Sequence, residues 1–129
     1  MTLERKTHLR HDGDGRAVHD VGGMHFGAID REEHDLALWE RRIDAMLILL
    51  VGPRKGAFTV DAMRRVIEDY GEQAYDSTTY YEKWIRAVRN LLIEQEVLTQ
   101  AEVEARIEAL RADFAAAGRA ISSDGVPYP

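Results

Sequence analysis

From Leu36 onward the large apolar side chains recur at intervals of three and four, and no segment alternates with a period of two over strand length. Intervals of three and four put side chains on one stripe of an α-helix, whereas a half-buried strand needs alternation. This regularity confines the chain to an all-α fold, with an extended irregular N-terminal arm followed by about four helices. Leu36, Trp39, Ile43, Met46, Leu47 and Leu50 mark the first stripe, which Gly52-Pro53 stops. Met63, Val66, Ile67 and Tyr70 mark the second, with Thr59 as its N-cap and Gly71 after its end. Tyr81, Ile85, Val88, Leu91 and Leu92 mark the third, opened by Thr79 and Glu82 at capping-box spacing. The fourth has Thr99 and Glu102 at the same spacing, with Leu98 and Val103 where a hydrophobic staple stands. Ile107, Leu110 and Phe114 continue its face, and Gly118 ends it.

Residues 1 to about 33 carry no such stripe. Five of the ten glycines fall between Gly13 and Gly27, and Val18, Val21, Met24, Phe26 and Ile29 are scattered among them. A segment of this kind has no core of its own and is either disordered or lies along another surface. The expected organisation is an arm over 1–33 that packs on a partner subunit, a helical domain over 34–118 and a tail over 119–129 with turn residues and no period.

Composition narrows the function. The 129 residues suit one domain, and 17 Lys and Arg against 23 Asp and Glu give a net charge of −6. This balance argues against a nucleic-acid binder, which wants a basic stripe. The longest apolar run, Ala45 to Val51, is far short of the roughly 20 residues of a membrane span. The N-terminus lacks the apolar core of a signal peptide, so a cytoplasmic protein is expected. There is no cysteine, which removes disulfides, Cys-bound metals and Cys nucleophiles from this chain. His8 and His11, with Asp12 beside them, would make only an exposed metal site without supporting groups. The other histidines share no helical face. Carboxylate pairs such as Glu32-Glu33 sit in polar contexts that do not raise a carboxyl pKa. Phosphate loops and hydrolase motifs are missing. Read from its residues, the chain holds no self-sufficient active site and no metal.

Two groups stand out against this background. Tyr81 belongs to the apolar stripe of its helix, whereas Tyr80 and Trp84, four apart, share a different face. Aromatics on a second face either fill a larger core or meet a partner. Arg65 reads as solvated, while Arg64, next to the apolar Met63, stands at the edge of a buried face.

Four stretches in order resemble the N-terminal half of the nitrile hydratase beta subunit. They are His19-Asp20-Val21-Gly22-Gly23-Met24 with Phe26-Gly27, then Trp39-Glu40-Arg41-Arg42, then Phe58 to Arg64, then Tyr80-Tyr81-Glu82-Lys83-Trp84 through Leu92-Ile93-Glu94 to Leu98-Thr99. Together they cover roughly residues 18 to 108. The resemblance implies a part in hydrating a nitrile to an amide. It implies Co(III), with Fe(III) as the alternative, held by a cysteine cluster on a separate alpha subunit, and Trp84 leans toward the cobalt class. It implies that Arg64 binds the oxygens of two oxidised cysteines, a role suited to a planar fork of donors. It implies that Tyr80, Trp84 and Val60 line the substrate pocket.

A full beta subunit of that family continues into a small β-barrel, and this sequence stops at Pro129. The family's second cysteine-contacting arginine falls in that part, so no residue here matches it. The expectation is a three-chain enzyme with a cysteine-rich alpha subunit, a separate small β-barrel subunit and a small nitrile substrate. The alternatives are a thiocyanate hydrolase subunit, a stand-alone activator or metallochaperone, and a helical interaction module. Activators lack the HD-GGM opening and usually do not keep the arginine matching Arg64, and both are present here.

Overall fold

A computed structural model describes residues 9–11 and 15–119, with an irregular arm up to residue 37, helices from Leu38 onward and no strand among them. The expectations for His8, for Asp12 and for most of the C-terminal tail lie outside the described residues. Five helices follow one another: α1 Leu38–Val51, α2 Val60–Glu68, α3 Glu72–Ser77, α4 Tyr80–Glu94 and α5 Gln100–Ala116. Four of them are those read from periodicity. The additional one, α3, has six residues and buries none of them, so it carries no apolar stripe from which to be foreseen.

The helix ends follow from local chemistry. Thr59 Oγ1 accepts the Ala62 N–H at 3.1 Å and starts α2. At α4 the Glu82 carboxylate accepts the Thr79 N–H at 2.8 Å. At α5 both halves of the box form, Thr99 N–H to Glu102 at 2.8 Å and Glu102 N–H to Thr99 Oγ1 at 3.2 Å. The Thr99 N–H first, and then the Thr99 hydroxyl donating at 2.9 Å, hold the Glu102 carboxyl below its ordinary pKa. Ala37 has no side-chain acceptor, so α1 has only the Glu40 half, 2.7 Å from the Ala37 N–H. α1 stops at Gly52, where a Cβ would stand 2.6 Å from the Ile48 carbonyl oxygen. Gly118, at φ +68°, turns the chain after α5.

α4 is the centre of the molecule, with α1 and α2 packed on it. Ile43 and Leu47 of α1, Phe58, Met63, Val66 and Tyr70 of the α2 region, and Ala87, Val88 and Leu91 of α4 form the buried core. Two polar ties set the direction of α2 against α4. The Tyr70 hydroxyl donates to the Lys83 carbonyl at 2.7 Å, and Arg65 reaches Glu94 at 2.8 Å. The end of α2 thus meets the start of α4, and the two helices run in opposite directions. Burial pushes the Tyr70 phenol up to about 12, so it remains a donor throughout the ordinary pH range.

α5 departs from expectation. Its stripe of Val103, Ile107, Leu110 and Phe114 is present, but α5 buries no residue. Alanines at 101, 105, 109 and 112 occupy its other sides, so the contrast between its faces is weak. Ala, Glu, Arg and Leu are strong helix formers, and the N-terminal box adds to them. Among the described residues the helix therefore stands more on local propensity than on packing, with only Val103 and Phe114 of its stripe half-buried.

Candidate functional site

The four aromatic rings gather where the first turn of α4 meets the first turn of α1. Tyr80 and Trp84 lie 4.9 Å apart between centroids and tilted by 38°. Tyr81 sits edge-on to Tyr80 at 5.2 Å and edge-on to Trp39 of α1 at 6.4 Å. Such edge and offset contacts match the ring quadrupoles. The cluster divides otherwise than the spacing suggested, since Trp84 packs against the core as Tyr81 does. Tyr81 packs against the core and Tyr80 stands exposed, with Trp84 half-buried between them. Burial, with Asp44, Tyr80 and Glu40 adding to it, raises the Tyr81 phenol above its ordinary pKa. The Trp39 indole N–H is buried without a hydrogen-bond partner among the described residues.

Val60 and Arg64 form a second patch. They are one turn apart on α2, and both are exposed. The Arg64 side chain is 70% exposed, and its one ion pair is with Asp61 at 3.5 Å. Arg65 corrects the sequence reading. Its side chain is only 35% exposed and bridges Glu94 at 2.8 Å and Asp69 at 3.8 Å. One residue along a helix is a rotation of about 100°, which turns Arg65 toward α4 and leaves Arg64 facing out. Among the described residues no hydrogen bond or ring contact joins Val60 or Arg64 to Tyr80 and Trp84. The structure pairs Tyr80 with Trp84 on α4 and places Val60 with Arg64 on one exposed side of α2.

Two concavities lie elsewhere. One, of about 340 Å³, runs between α1, α4 and α5 along Met46, Ile85, Leu92, Leu98 and Ile107. The other, of about 150 Å³, lies between α4 and α5 beside Asn90, Ile93 and Gln100. Neither includes the four candidate residues. Among the described residues no group of three or more His, Cys, Asp or Glu could hold a metal ion. No helix among them is long and apolar enough to cross a membrane.

The sequence reading missed the contacts of α3. Glu72 and Asp76, four apart, face Arg10 and His11 of the arm, and the arm's Val18 is fully buried. At these positions the surface that the arm lies along is this chain's own helix. Acidic residues at that spacing after Gly71 mark a short helix, but a partner more than sixty residues upstream leaves no local signal.

Comparison with known proteins sets this geometry in context. The family model described as nitrile hydratase beta subunit, N-terminal, matches residues 16–125. The nitrile hydratase subunit beta of Pseudomonas putida is 37% identical over 90 residues, covering 67% of this chain and 41% of its own. That of Rhodococcus erythropolis is 34% identical over 94 residues, covering 67% and 44%. The chain thus spans about four tenths of the length of these relatives. The thiocyanate hydrolase subunit beta of Thiobacillus thioparus is 27% identical over 106 residues, covering 81% of this chain and 66% of its own. A solved structure of the recombinant apo-enzyme of that hydrolase superposes with a TM-score of 0.68 at 26% identity, covering 88% of this chain and 72% of that one.

Proposed function

Because the chain belongs to the family of nitrile hydratase beta-subunit N-terminal domains, we propose that it is a subunit of a hetero-oligomer that hydrates nitriles to amides. Its partners are a cysteine-rich alpha subunit and a small β-barrel subunit. The metal, Co(III) or alternatively Fe(III), belongs to the alpha subunit, and when bound it supplies Lewis-acid activation at the reacting centre.

This chain's own residues shape the surroundings of that centre. Arg64 donates its fork to the anionic oxygens of the oxidised cysteines across the interface. What supports this role is its exposure: its one ion pair, with Asp61, is long and solvated, so the guanidinium is available to another surface. Docking removes water, and in a drier site each charge-assisted bond strengthens. Tyr80 and Trp84 offer a stacked aromatic wall for a small apolar substrate, and Val60, on the strip of Arg64, adds an apolar contact. The outer part of the arm, where Phe26 and Ile29 are exposed, lies along the partner.

A thiocyanate substrate is the second reading. Its support is the wider match to the thiocyanate hydrolase beta subunit, 81% of this chain against 67% for the Pseudomonas putida relative. The higher identity to the latter, 37% against 27%, favours the nitrile. Co-expression with the alpha-type and barrel chains of the same organism tests the assignment. A stable complex with stoichiometric cobalt that hydrates a simple nitrile is expected. Turnover of thiocyanate alone would favour the second reading, and a transient complex without turnover would favour an activator. Stoichiometric cobalt on the isolated chain would overturn the division of labour.

A further inference from the structure

The family match begins at residue 16, yet the one buried charged residue among the described residues lies ahead of it. The Arg10 side chain is 1% exposed. Its Nε donates to the Val18 carbonyl at 2.9 Å, its Nη1 to Asp76 at 2.9 Å and to Glu72 at 3.5 Å, and its Nη2 to the other Asp76 oxygen. The guanidinium also lies over the Phe26 ring, 5.4 Å from its centroid. The neighbouring His11 adds its backbone N–H to Glu72 at 3.1 Å and its Nδ1 at 2.7 Å. This is two-pronged pairing of a fork with a carboxylate, which fixes direction as well as distance.

What these bonds hold is α3. A helix of six residues is far below the length that sustains itself in water, and although Ala74 and Tyr75 pack half-buried against the core, this one buries no residue fully. The far end of α3 is stitched in turn to α4. Lys83, in the first turn of α4, donates to the Thr78 carbonyl and lies over the Tyr75 ring at 4.8 Å. Tyr80, Tyr81 and Trp84 occupy that same turn and the start of the next.

We propose that Arg10, from outside the length matched by the family, is a positioning residue that clamps α3 and, through α3 and Lys83, sets the first turn of α4 and the pose of Tyr80 and Trp84. The arm is therefore part of the fold at this point, and its beginning governs the aromatic wall. Only the consequence for turnover rests on the proposed function. The clamp itself is testable on the full chain alone.

The test compares wild type with Arg10→Met, Arg10→Lys, Asp76→Asn and the Arg10→Met/Asp76→Asn pair by amide exchange and by the Trp84 indole resonance. Losing charge-assisted bonds of this kind corresponds to roughly tenfold or more in an opening equilibrium. Exchange at the α3 amides, among them Tyr75 N–H bonded to the Gly71 carbonyl at 2.9 Å, should quicken about tenfold or more in Arg10→Met. The Trp84 indole signal should move with it, and the Val88–Leu91 amides should stay within about twofold. Asp76→Asn should act in the same sense more weakly, and the pair should add little to Arg10→Met. Should Arg10→Met fail to fold, Arg10→Lys and Asp76→Asn carry the same comparison. Unchanged α3 exchange, an unmoved indole signal, or a parallel rise at Val88–Leu91 would overturn the clamp. In the assembled enzyme, Arg10→Lys should raise KM several-fold with kcat less affected. An inactive wild-type assembly would count against the proposed function while leaving the exchange result standing.

Discussion

Adjacent arginines on α2 separate stability from activity. The Arg64 side chain is 70% exposed with Asp61 at 3.5 Å, a solvated pair that contributes nothing measurable. The Arg65 side chain is half as exposed and bridges Glu94 at 2.8 Å and Asp69 at 3.8 Å, tying α2 to the end of α4. Pairs of this kind contribute about 0.2–1 kcal/mol, which for a domain near 100 residues is a shift of about 1–6 °C in Tm. In the isolated chain, Arg65→Lys should therefore lower Tm by a few degrees and Arg64→Lys should leave it within error. In the assembled enzyme the order reverses. Lys keeps the charge of Arg64 but offers one point donor in place of a fork. A lost charge-assisted bond in a dry interface costs about 1.5–3 kcal/mol, roughly 10- to 150-fold in rate if it is felt in the transition state. Thermal melts of the free variants and rates of complexes at matched metal content give the two readouts. Equal rate losses in the two variants, or a lower Tm for Arg64→Lys than for Arg65→Lys, would refute the assignment.

Two further outcomes follow from burial and charge. Leu91→Ala, at the centre of the core, should destabilise the free chain by about 2–5 kcal/mol in denaturant titration, whereas Leu110→Asp, on the unburied α5 stripe, should leave it within about 0.5 kcal/mol and weaken binding to the alpha subunit in pull-down. Glu72 is held below its ordinary pKa by bonding to His11 above all, and Asp76 by bonding to Arg10 above all. A depressed folded pKa gives stability that is present above the unfolded value, near pH 4, and is lost as pH falls through the folded value. Protection of the α3 amides should therefore hold from neutral pH down to about 4 and fall below it, before the Val88–Leu91 amides lose theirs.

The parts of the fold that local chemistry writes were legible in the sequence. Thr59, Thr79 and Thr99 each cap the helix expected of them, because a cap and its helix are three residues apart. The stripe through Ile43, Leu47, Met63, Val66, Val88 and Leu91 became the core, because burial imposes the helical period wherever a helix has a covered face. α3 was not legible. Its support comes from the half-buried Ala74 and Tyr75, too few to make a repeat, and from Arg10, which stands in the arm among residues without pattern. Arg65 was misread for a related reason: charge and neighbours suggested solvent, while its acceptor Glu94 lies on another helix. Of the candidate site, the pairing of Tyr80 with Trp84 was readable from a spacing of four. How Val60 and Arg64 stand toward them was not, since that depends on how α2 crosses α4.

The misfit between pattern and burial is informative where it is largest. On α5 the large apolar residues keep the spacing of a covered face, yet Ile107 and Leu110 are exposed and Val103 and Phe114 only half-buried, and on α1 Ile48 and Leu49 are exposed as well. A period of three to four records burial wherever it occurs, whether in the chain's own core or against a second chain, and sequence alone does not distinguish them. In α1, α2 and α4 the covering surface is within this chain. For α5 the described residues supply little of it, and that helix persists through its alanines, its capping box and the surface bonds from Gln100 to Glu104 and Arg111 to Glu108. A helix with enough propensity to form before it is covered loses little entropy on docking. By the same logic the exposed fork of Arg64, one turn from Val60 on a helix anchored to the core by Met63 and Val66, would lose little freedom on meeting the surface proposed for it.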